Sequence, residues 1–329
     1  MKVLLCGGAG YIGTHVAIEF LSRGDTVGIV DDFSSGLREN IDPRVTVYEG
    51  SISDRTVLDR ALSEHWDVVV HLAAFKAAGE SMINPAKYAH NNIAGSLQLI
   101  TACVDHQITK FILSSSAAVY GEPKYLPIDE NHPLKPENYY GYTKLAIEEN
   151  LFWFSQLTNL SYVSLRYFNA AGYDPFGRMQ GLERNPANLI PVVMEVATGR
   201  REKLQVFGDD YPTDDGTGVR DYVHVTDLAD AHVRAADYLM QHTGSLTVNL
   251  GSEQGLSVQQ IIHASREITG KTIPTIITER RPGDPAKLVA SSAKAQQILG
   301  WKARYSSLES IIGTTWKVYQ ANQGQYVLT

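Results

Sequence analysis

The first 31 residues constrain the fold more tightly than any other stretch. Lys2-Val3-Leu4-Leu5-Cys6 is an apolar run long enough for a buried strand and too short for a helix. It breaks at Gly7-Gly8-Ala9-Gly10-Tyr11-Ile12-Gly13. A helical pattern follows through Ile12, Val16, Ile18, Phe20 and Leu21, and a second apolar run, Thr26-Val27-Gly28-Ile29-Val30, closes on Asp31-Asp32. Strand, glycine turn, helix, strand and terminal acid, in that order, predict a βαβ unit that binds a dinucleotide. The glycines let the backbone turn sharply and approach a pyrophosphate, whose charge then faces the free N–H groups of the helix start. Asp31 is placed to accept hydrogen bonds from an adenosine ribose. Beside Asp32 it would repel a 2′-phosphate, which favours NAD over NADP.

The pattern continues. Residues 45–49 read as a third strand, and Ser53 or Asp54 caps a helix carrying Val57, Leu58, Ala61 and Leu62. Residues 68–72 are continuously apolar, as a central parallel strand covered on both faces requires. A long helix is expected over 85–106, a strand at 111–113 ending in Ser114-Ser115-Ser116, a helix from 139 to about 157, and a strand at 162–168. Strands alternating with helices predict an α/β fold, a doubly wound parallel sheet of Rossmann type with ligands beyond the carboxyl ends of its strands.

From about residue 172 glycine, proline and aspartate cluster at 172–177 and 208–212, marking long functional loops. Residues 187–198 read as a helix and 204–207 as a strand. The expected organisation is a dinucleotide-binding domain over 1–171, to which 221–250 returns, and a smaller mixed lobe over 172–220 and 251–329.

With 29 basic and 36 acidic residues the net charge is −7, which argues against general nucleic-acid binding. An anionic ligand must then be held by local arginines. Cys6 and Cys103 form neither a disulfide framework nor a metal pattern, and no metal site is expected. No basic-then-apolar leader precedes the first strand and no apolar run approaches 18 residues, so the expectation is a cytoplasmic protein without a membrane partner.

Tyr140 and Lys144 are four apart at a helix start and so share a face. With 17 tyrosines in the chain such a spacing arises readily by chance, and Tyr120 with Lys124 is a second instance. Gly121 and Pro123 lie inside that second pair and argue against a helix there. A free tyrosine is a poor base at neutral pH. An ammonium and a cationic nicotinamide nearby both favour the phenolate. Ser116 would supply a hydroxyl to share the substrate proton.

These motifs together carry a resemblance. Residues 7–13, 71–81 (HLAAFKAAGES), 114–121 (SSSAAVYG), 140–144 (YGYTK), 165–169 (LRYFN) and 207–225 (FGDDYPTDDGTGVRDYVHV) make the chain similar to the extended short-chain dehydrogenase/reductases. It most closely resembles the UDP-galactose 4-epimerase (UDP-glucose 4-epimerase) group among them, over nearly the whole length. The resemblance implies inversion at C4 of a UDP-hexose with NAD as a retained cofactor, through a 4-keto sugar that turns over and is reduced on its opposite face. Other UDP-sugars (N-acetylhexosamine, pentose or uronate) are the alternative substrates, and a non-catalytic NAD- or nucleotide-sugar-binding protein is the alternative class.

The same resemblance implies Tyr140 as base, Lys144 as its electrostatic partner and Ser116 as the hydrogen-bonding hydroxyl. Gly7, Gly10, Tyr11, Ile12, Gly13, Asp31, Ser51, Ile52, Leu72, Ala73, Ala74, Lys76, Asn91 and Phe168 would join Tyr140 and Lys144 along the cofactor. Ser116, Asn169, Asn188, Leu189, Gln205, Val206, Phe207, Arg220, Arg281 and Asp284 would line the UDP-sugar site. Arg220 and Arg281 are forks suited to a diphosphate, Asp284 suits the uridine ribose, and His224 is expected to be a structural histidine. Three positions depart from the group's pattern: Ser51 stands where an aspartate is common, Ala118 where a threonine is frequent, and Leu288 where a small residue would leave a wider sugar pocket. A homodimer paired through the helices near 86–106 and 140–157 is also implied.

Overall fold

The protein is described from a computed structural model over residues 1–323 except Asn185 and Pro282. Of the expected second lobe, residues 324–329 lie outside the described residues. The early apolar runs form β1 (Lys2–Cys6), β2 (Thr26–Asp31), β3 (Thr46–Glu49) and β4 (Val68–His71), with α1 (Tyr11–Ser22) after β1 and α2 (Arg55–Leu62) after β3. The Asp54 carboxylate caps α2 by accepting from the Thr56 amide. Next come α3 (Ala78–Ile83), α4 (Pro85–Tyr88), a π-helical turn (Ala89–Ala94), α5 (Gly95–Asp105), β5 (Lys110–Ser116), α6 (Tyr139–Leu157) and β6 (Ser161–Tyr167).

The second half contributes β7 (Asn169–Ala171), α7 (Leu189–Ala197), β8 (Leu204–Phe207), β9 (Val219–His224), α8 (Val225–Gln241) and β10 (Leu246–Leu250). It ends with β11 (Gly255–Ser257), α9 (Val258–Thr269), β12 (Thr275–Thr278), β13 (Lys287–Leu288), α10 (Ala293–Leu299) and α11 (Leu308–Ala321).

Seven strands make a parallel sheet in the order β10-β6-β5-β4-β1-β2-β3. Alternating residues of each strand feed two separate cores. Val3, Leu5 and Val70 pack with Val16, Phe20, Leu228 and Ala235 of α1 and α8. Leu4, Cys6 and Val69 pack on the other face with Leu58, Leu99, Ile147 and Leu151 of α2, α5 and α6. Burial on both faces is why the sequence shows unbroken apolar runs here. The chain leaves β1 toward β2 and β3 on one side and β4 lies on the other, so a crevice opens between the carboxyl ends of β1 and β4.

Two expectations need correction. The long helix over 85–106 is interrupted by the π-helical turn, which carries Asn91 and Asn92. Residues 221–250 do not return to the sheet as a unit. β10 pairs with β6, but β9 lies in a second sheet with β7, β11 and β13. The buried Asp221 carboxylate explains that capture: it accepts from the backbone amides of Ser252, Glu253 and Ala290 and so binds β9 to the loops beside it. β7 joins the same sheet, so residues 169–171 structurally belong with the second lobe. A third core of Ile190, Val193, Val206, Ile261, Ile311 and Trp316 holds that lobe together.

Candidate active site

The turn after β1 separates its glycines by physical role. A Cβ on Gly13 would stand 2.3 Å from the Gly7 carbonyl oxygen, and one on Gly7, whose φ is +88°, would stand 2.5 Å from the Ala73 amide nitrogen. Both are required by packing. Gly10 is different: its Cβ would meet only the Gly7 oxygen, at 3.5 Å, and it faces open space. Gly10 is also the N-cap of α1 and provides no side-chain cap, so the first-turn N–H groups remain for a ligand. At the end of β2 the buried Asp31 carboxylate accepts from the amides of Ala9 at 2.8 Å and Phe33 at 2.9 Å. Burial pushes its pKa up against those bonds, and each oxygen keeps a lone pair for a further donor. An open glycine ledge, an uncapped helix start and a carboxylate at the next strand end fit a dinucleotide.

Other expected cofactor residues lie after β3 and β4, at the start of α1 and on the π-helical turn. The amides of Leu72 and Ala73 both donate to the Cys6 carbonyl at 2.8 Å, bringing the β4 end, with half-buried Ala74, against the glycine turn. Lys76 is exposed and ion-paired with Glu183 of the second lobe. Asn91 donates to the Asn92 side chain at 3.0 Å. Ser51 accepts from the Ser53 amide at 3.1 Å. Two side chains are engaged elsewhere. Tyr11 donates its hydroxyl to the Gly172 carbonyl, and Ile52 is buried against the α2 and α5 core. Half-buried Ile12 packs beside the other core.

α6 positions the reactive pair. Asn138 caps it through the Gly141 amide at 2.9 Å, and the Tyr140 amide donates to the Ser81 hydroxyl at 3.0 Å. The buried Lys144 ammonium donates to the Ser114 carbonyl at 2.8 Å. Ser116 ends β5, accepts from the Ala118 amide at 3.2 Å and has its hydroxyl within hydrogen-bonding reach of the Tyr140 phenol. Three of the expected residues are thus brought together from two elements.

Their electrostatics bear on the expected phenolate. Burial pushes the Tyr140 phenol up, only partly offset by the Ser116 hydroxyl. Burial lowers Lys144 to about 8, opposed by the Glu148 carboxylate. The chain's own charges therefore do not make Tyr140 a base; the phenolate needs positive charge that arrives with a ligand. Tyr120 and Lys124 do not form a second pair. Tyr120 is buried, its hydroxyl donating to Asn249 at 2.6 Å, while the Lys124 amide binds His132 in an exposed loop.

Sequence reasoning missed Asn92, Glu148, Arg166 and Glu183. Asn92 is fully buried, takes the Phe75 amide and carbonyl at 2.9 Å each, and reaches the Thr143 hydroxyl at 3.2 Å. An asparagine inside a helical pattern, where it competes with backbone bonding, was the available signal.

A cavity of about 180 Å³ opens at Ser116, with Ala118, Phe168, Asn169, Asp284 and Leu288 also among its lining residues. Its Asp284 forms an ion pair with Arg220, and the Arg281 guanidinium lies 3.9 Å from the centre of the Phe207 ring. Asn188 caps α7 without a side-chain bond and is exposed, with Leu189 half-buried after it. Gln205 is exposed on β8, but Val206 is buried in the second lobe's core, leaving only its backbone for a ligand. His224 is buried and is lowered to about 3 by burial, its ring accepting from the Thr226 amide. Among the described residues no cluster of three or more His, Cys, Asp or Glu could hold a metal ion, and no helix is long and apolar enough to cross a membrane.

Known proteins are similar to the chain over most of its length. Residues 3–251 match the NAD dependent epimerase/dehydratase family. The chain is 44% identical to the UDP-glucose 4-epimerase of Halalkalibacterium halodurans, over 99% of this chain and 98% of that one. Among solved structures it is similar to the UDP-glucose 4-epimerase of Brucella ovis in complex with NAD, with a TM-score of 0.93 and 40% identity over 97% of this chain and 98% of that one. It is also similar to the Bifidobacterium longum UDP-glucose 4-epimerase in complex with NAD+ and UDP, with a TM-score of 0.94 and 38% identity over 99% and 100% of the two chains.

Proposed function

The chain belongs to the NAD dependent epimerase/dehydratase family, and we propose that it is a UDP-glucose 4-epimerase interconverting UDP-glucose and UDP-galactose. The observation that carries this reading is the meeting of Tyr140 with Ser116, whose cavity is also lined by Asp284, the ion-pair partner of Arg220. When bound, NAD supplies a reversible hydride acceptor for the sugar C4 and, in its oxidised form, a positive charge beside Tyr140. Gly7, Gly10 and Gly13, the first-turn amides of α1 and the Asp31 carboxylate would hold it, with Lys76, Asn91 and Phe168 alongside. Lys144, anchored at the Ser114 carbonyl, would bond the nicotinamide ribose and add its charge.

Tyr140 takes the proton from the 4-hydroxyl and later returns it, with Ser116 sharing the hydrogen bond. Inversion requires the oxidised sugar to present its other face without release of the nucleotide. The chain's composition of contacts suits that need: Arg220 and Arg281 offer strong charge-assisted bonds to a diphosphate, while Ala118, Phe168 and Leu288 offer the hexose little to grip. Leu288 also narrows the cavity, which favours hexoses over N-acetylated sugars. A cytoplasmic homodimer paired through α6 and the helices around α5, acting in galactose metabolism, completes the reading; Tyr142, Phe152 and Trp153 are large exposed side chains on α6 in its support. The test is incubation of purified protein with UDP-galactose, UDP-glucose and the N-acetylated sugars, with separation of the products. Failure to interconvert the first two refutes the assignment, and faster turnover of the N-acetylated pair replaces it with the broader substrate class.

A further inference from the structure

Behind Lys144 lies a buried ion pair that the mechanism above does not use. Lys144, Glu148 and Arg166 are only 3%, 7% and 6% exposed. Glu148 is one helical turn beyond Lys144 on α6 and hence on its face. Arg166, on β6, donates from Nε to both Glu148 oxygens at 3.0 and 3.1 Å, and Ser115 on β5 donates its hydroxyl to the same carboxylate. Arg166 is fixed in turn by the Tyr120 hydroxyl at 3.0 Å. This carboxylate lies among Arg166, Ser115 and α6 and does not line the sugar cavity, so a substrate contact does not account for it.

An ammonium buried without a counter-charge sheds its proton. The other groups facing Lys144 do not supply that charge. His71 on β4 is lowered to about 3 and His232, which reaches Ser114 from α8, to about 4, both by burial, so both are neutral. Burial pushes Tyr140 on α6 and Tyr167 on β6 upward, so neither phenol is an anion at neutral pH. Asn92 and Ser96 on the neighbouring helical segment are uncharged. Arg166 is the second cation, and by itself would discharge Lys144 further.

We infer that Glu148 is the counter-charge that keeps Lys144 protonated in the working enzyme, and that Arg166 holds it in place. Glu148 is a positioning residue: it does not line the sugar cavity, and it acts on Tyr140 through the lysine. This rests on the reading of the chain as a 4-epimerase in which a cationic Lys144 favours the phenolate.

The test is the pH profile of kcat for UDP-galactose epimerisation by the NAD-loaded enzyme. Turnover falls as pH rises through the Lys144 pKa, and Glu148→Gln should move that alkaline limb down by about one pH unit, with Glu148→Asp restoring it toward the wild type. Near-ultraviolet circular dichroism and bound NAD content, measured on the same samples, report folding and loading separately from activity. If Glu148→Gln fails to fold because Arg166 is stranded, Glu148→Gln/Arg166→Met removes both charges of the pair, a change buried pairs tolerate better than loss of one. Its alkaline limb should lie below that of the wild type by less than in Glu148→Gln, since the repulsion from Arg166 is lost with the attraction of Glu148. A folded, NAD-loaded variant whose limb stays in place, with activity reduced equally at every pH, overturns the inference. A wild-type protein that does not epimerise UDP-galactose overturns the functional reading instead.

Discussion

The Lys144 ammonium donates to the Ser114 carbonyl at 2.8 Å, and this bond ties α6 to the strand end that carries Ser116. It holds the cation one helical turn from Tyr140 without spending its other two hydrogens. The arrangement leaves Lys144 ready to bond a ligand hydroxyl while its charge stays near the phenol.

Tyr140→Phe should fold, retain NAD and lose turnover by about 10²- to 10⁴-fold, the usual worth of a positioned acid–base group. Product separation after incubation with UDP-galactose measures the loss, and absorbance of the protein-bound nucleotide measures retention. Near-normal turnover removes Tyr140 from the mechanism.

Gly10→Ala and Gly13→Ala should fail in different ways. Gly10 has φ −74° and an open surrounding, so alanine fits the ligand-free chain and only intrudes where a pyrophosphate would lie. NAD content should fall with little change in Tm of the cofactor-free protein. At Gly13 the new methyl would stand 2.3 Å from the Gly7 oxygen, and Tm itself should drop. Equal Tm losses in the two variants would contradict this division.

Lys144→Met should make the cofactor-free protein more stable at neutral pH and less distinct from the wild type as pH rises. Lys144 is lowered by burial from 10.5 to about 8. Below about 8 both folded and unfolded chains hold the proton, and the penalty of the buried charge is present in full. Between about 8 and 10.5 the unfolded chain binds more protons, so this residue's contribution to stability improves with pH. Urea titrations of both proteins across that window follow the difference, which should shrink; a constant difference would mean that Lys144 is not discharged there.

Arg220→Gln should weaken binding of UDP by about 10- to 100-fold, the cost of losing a charge-assisted bond. It also frees Asp284 from its ion pair. KM for the UDP-sugar should rise more than kcat falls, because the diphosphate grip serves ground and transition states alike. Titration calorimetry with UDP reads the first effect and initial rates the second. An unaltered Kd would place Arg220 outside the site.

Much of the first lobe was legible because its cause is local. Val68, Val69 and Val70 announce a strand covered on both faces, and the glycine spacing announces a turn that only glycines can make. The π-helical turn at Ala89–Ala94 was not legible, since it carries Asn92 to the backbone of Phe75, 17 residues away in the chain. The same holds for β9, whose residues read as one more sheet strand until Asp221 is seen gathering the amides of distant loops.

By itself the sequence determined the βαβ start, the alternation that follows it, the shared face of Tyr140 and Lys144, and the sign of the groups available for a diphosphate. These follow from spacing along the chain, where a period of two or of 3.6 residues sets which side chains lie together. Only the tertiary structure decided which glycine is open to a ligand, where β9 pairs, and which carboxylate stands behind Lys144. Those depend on residues far apart in the chain and on burial, which alone sets how strongly a charge is felt.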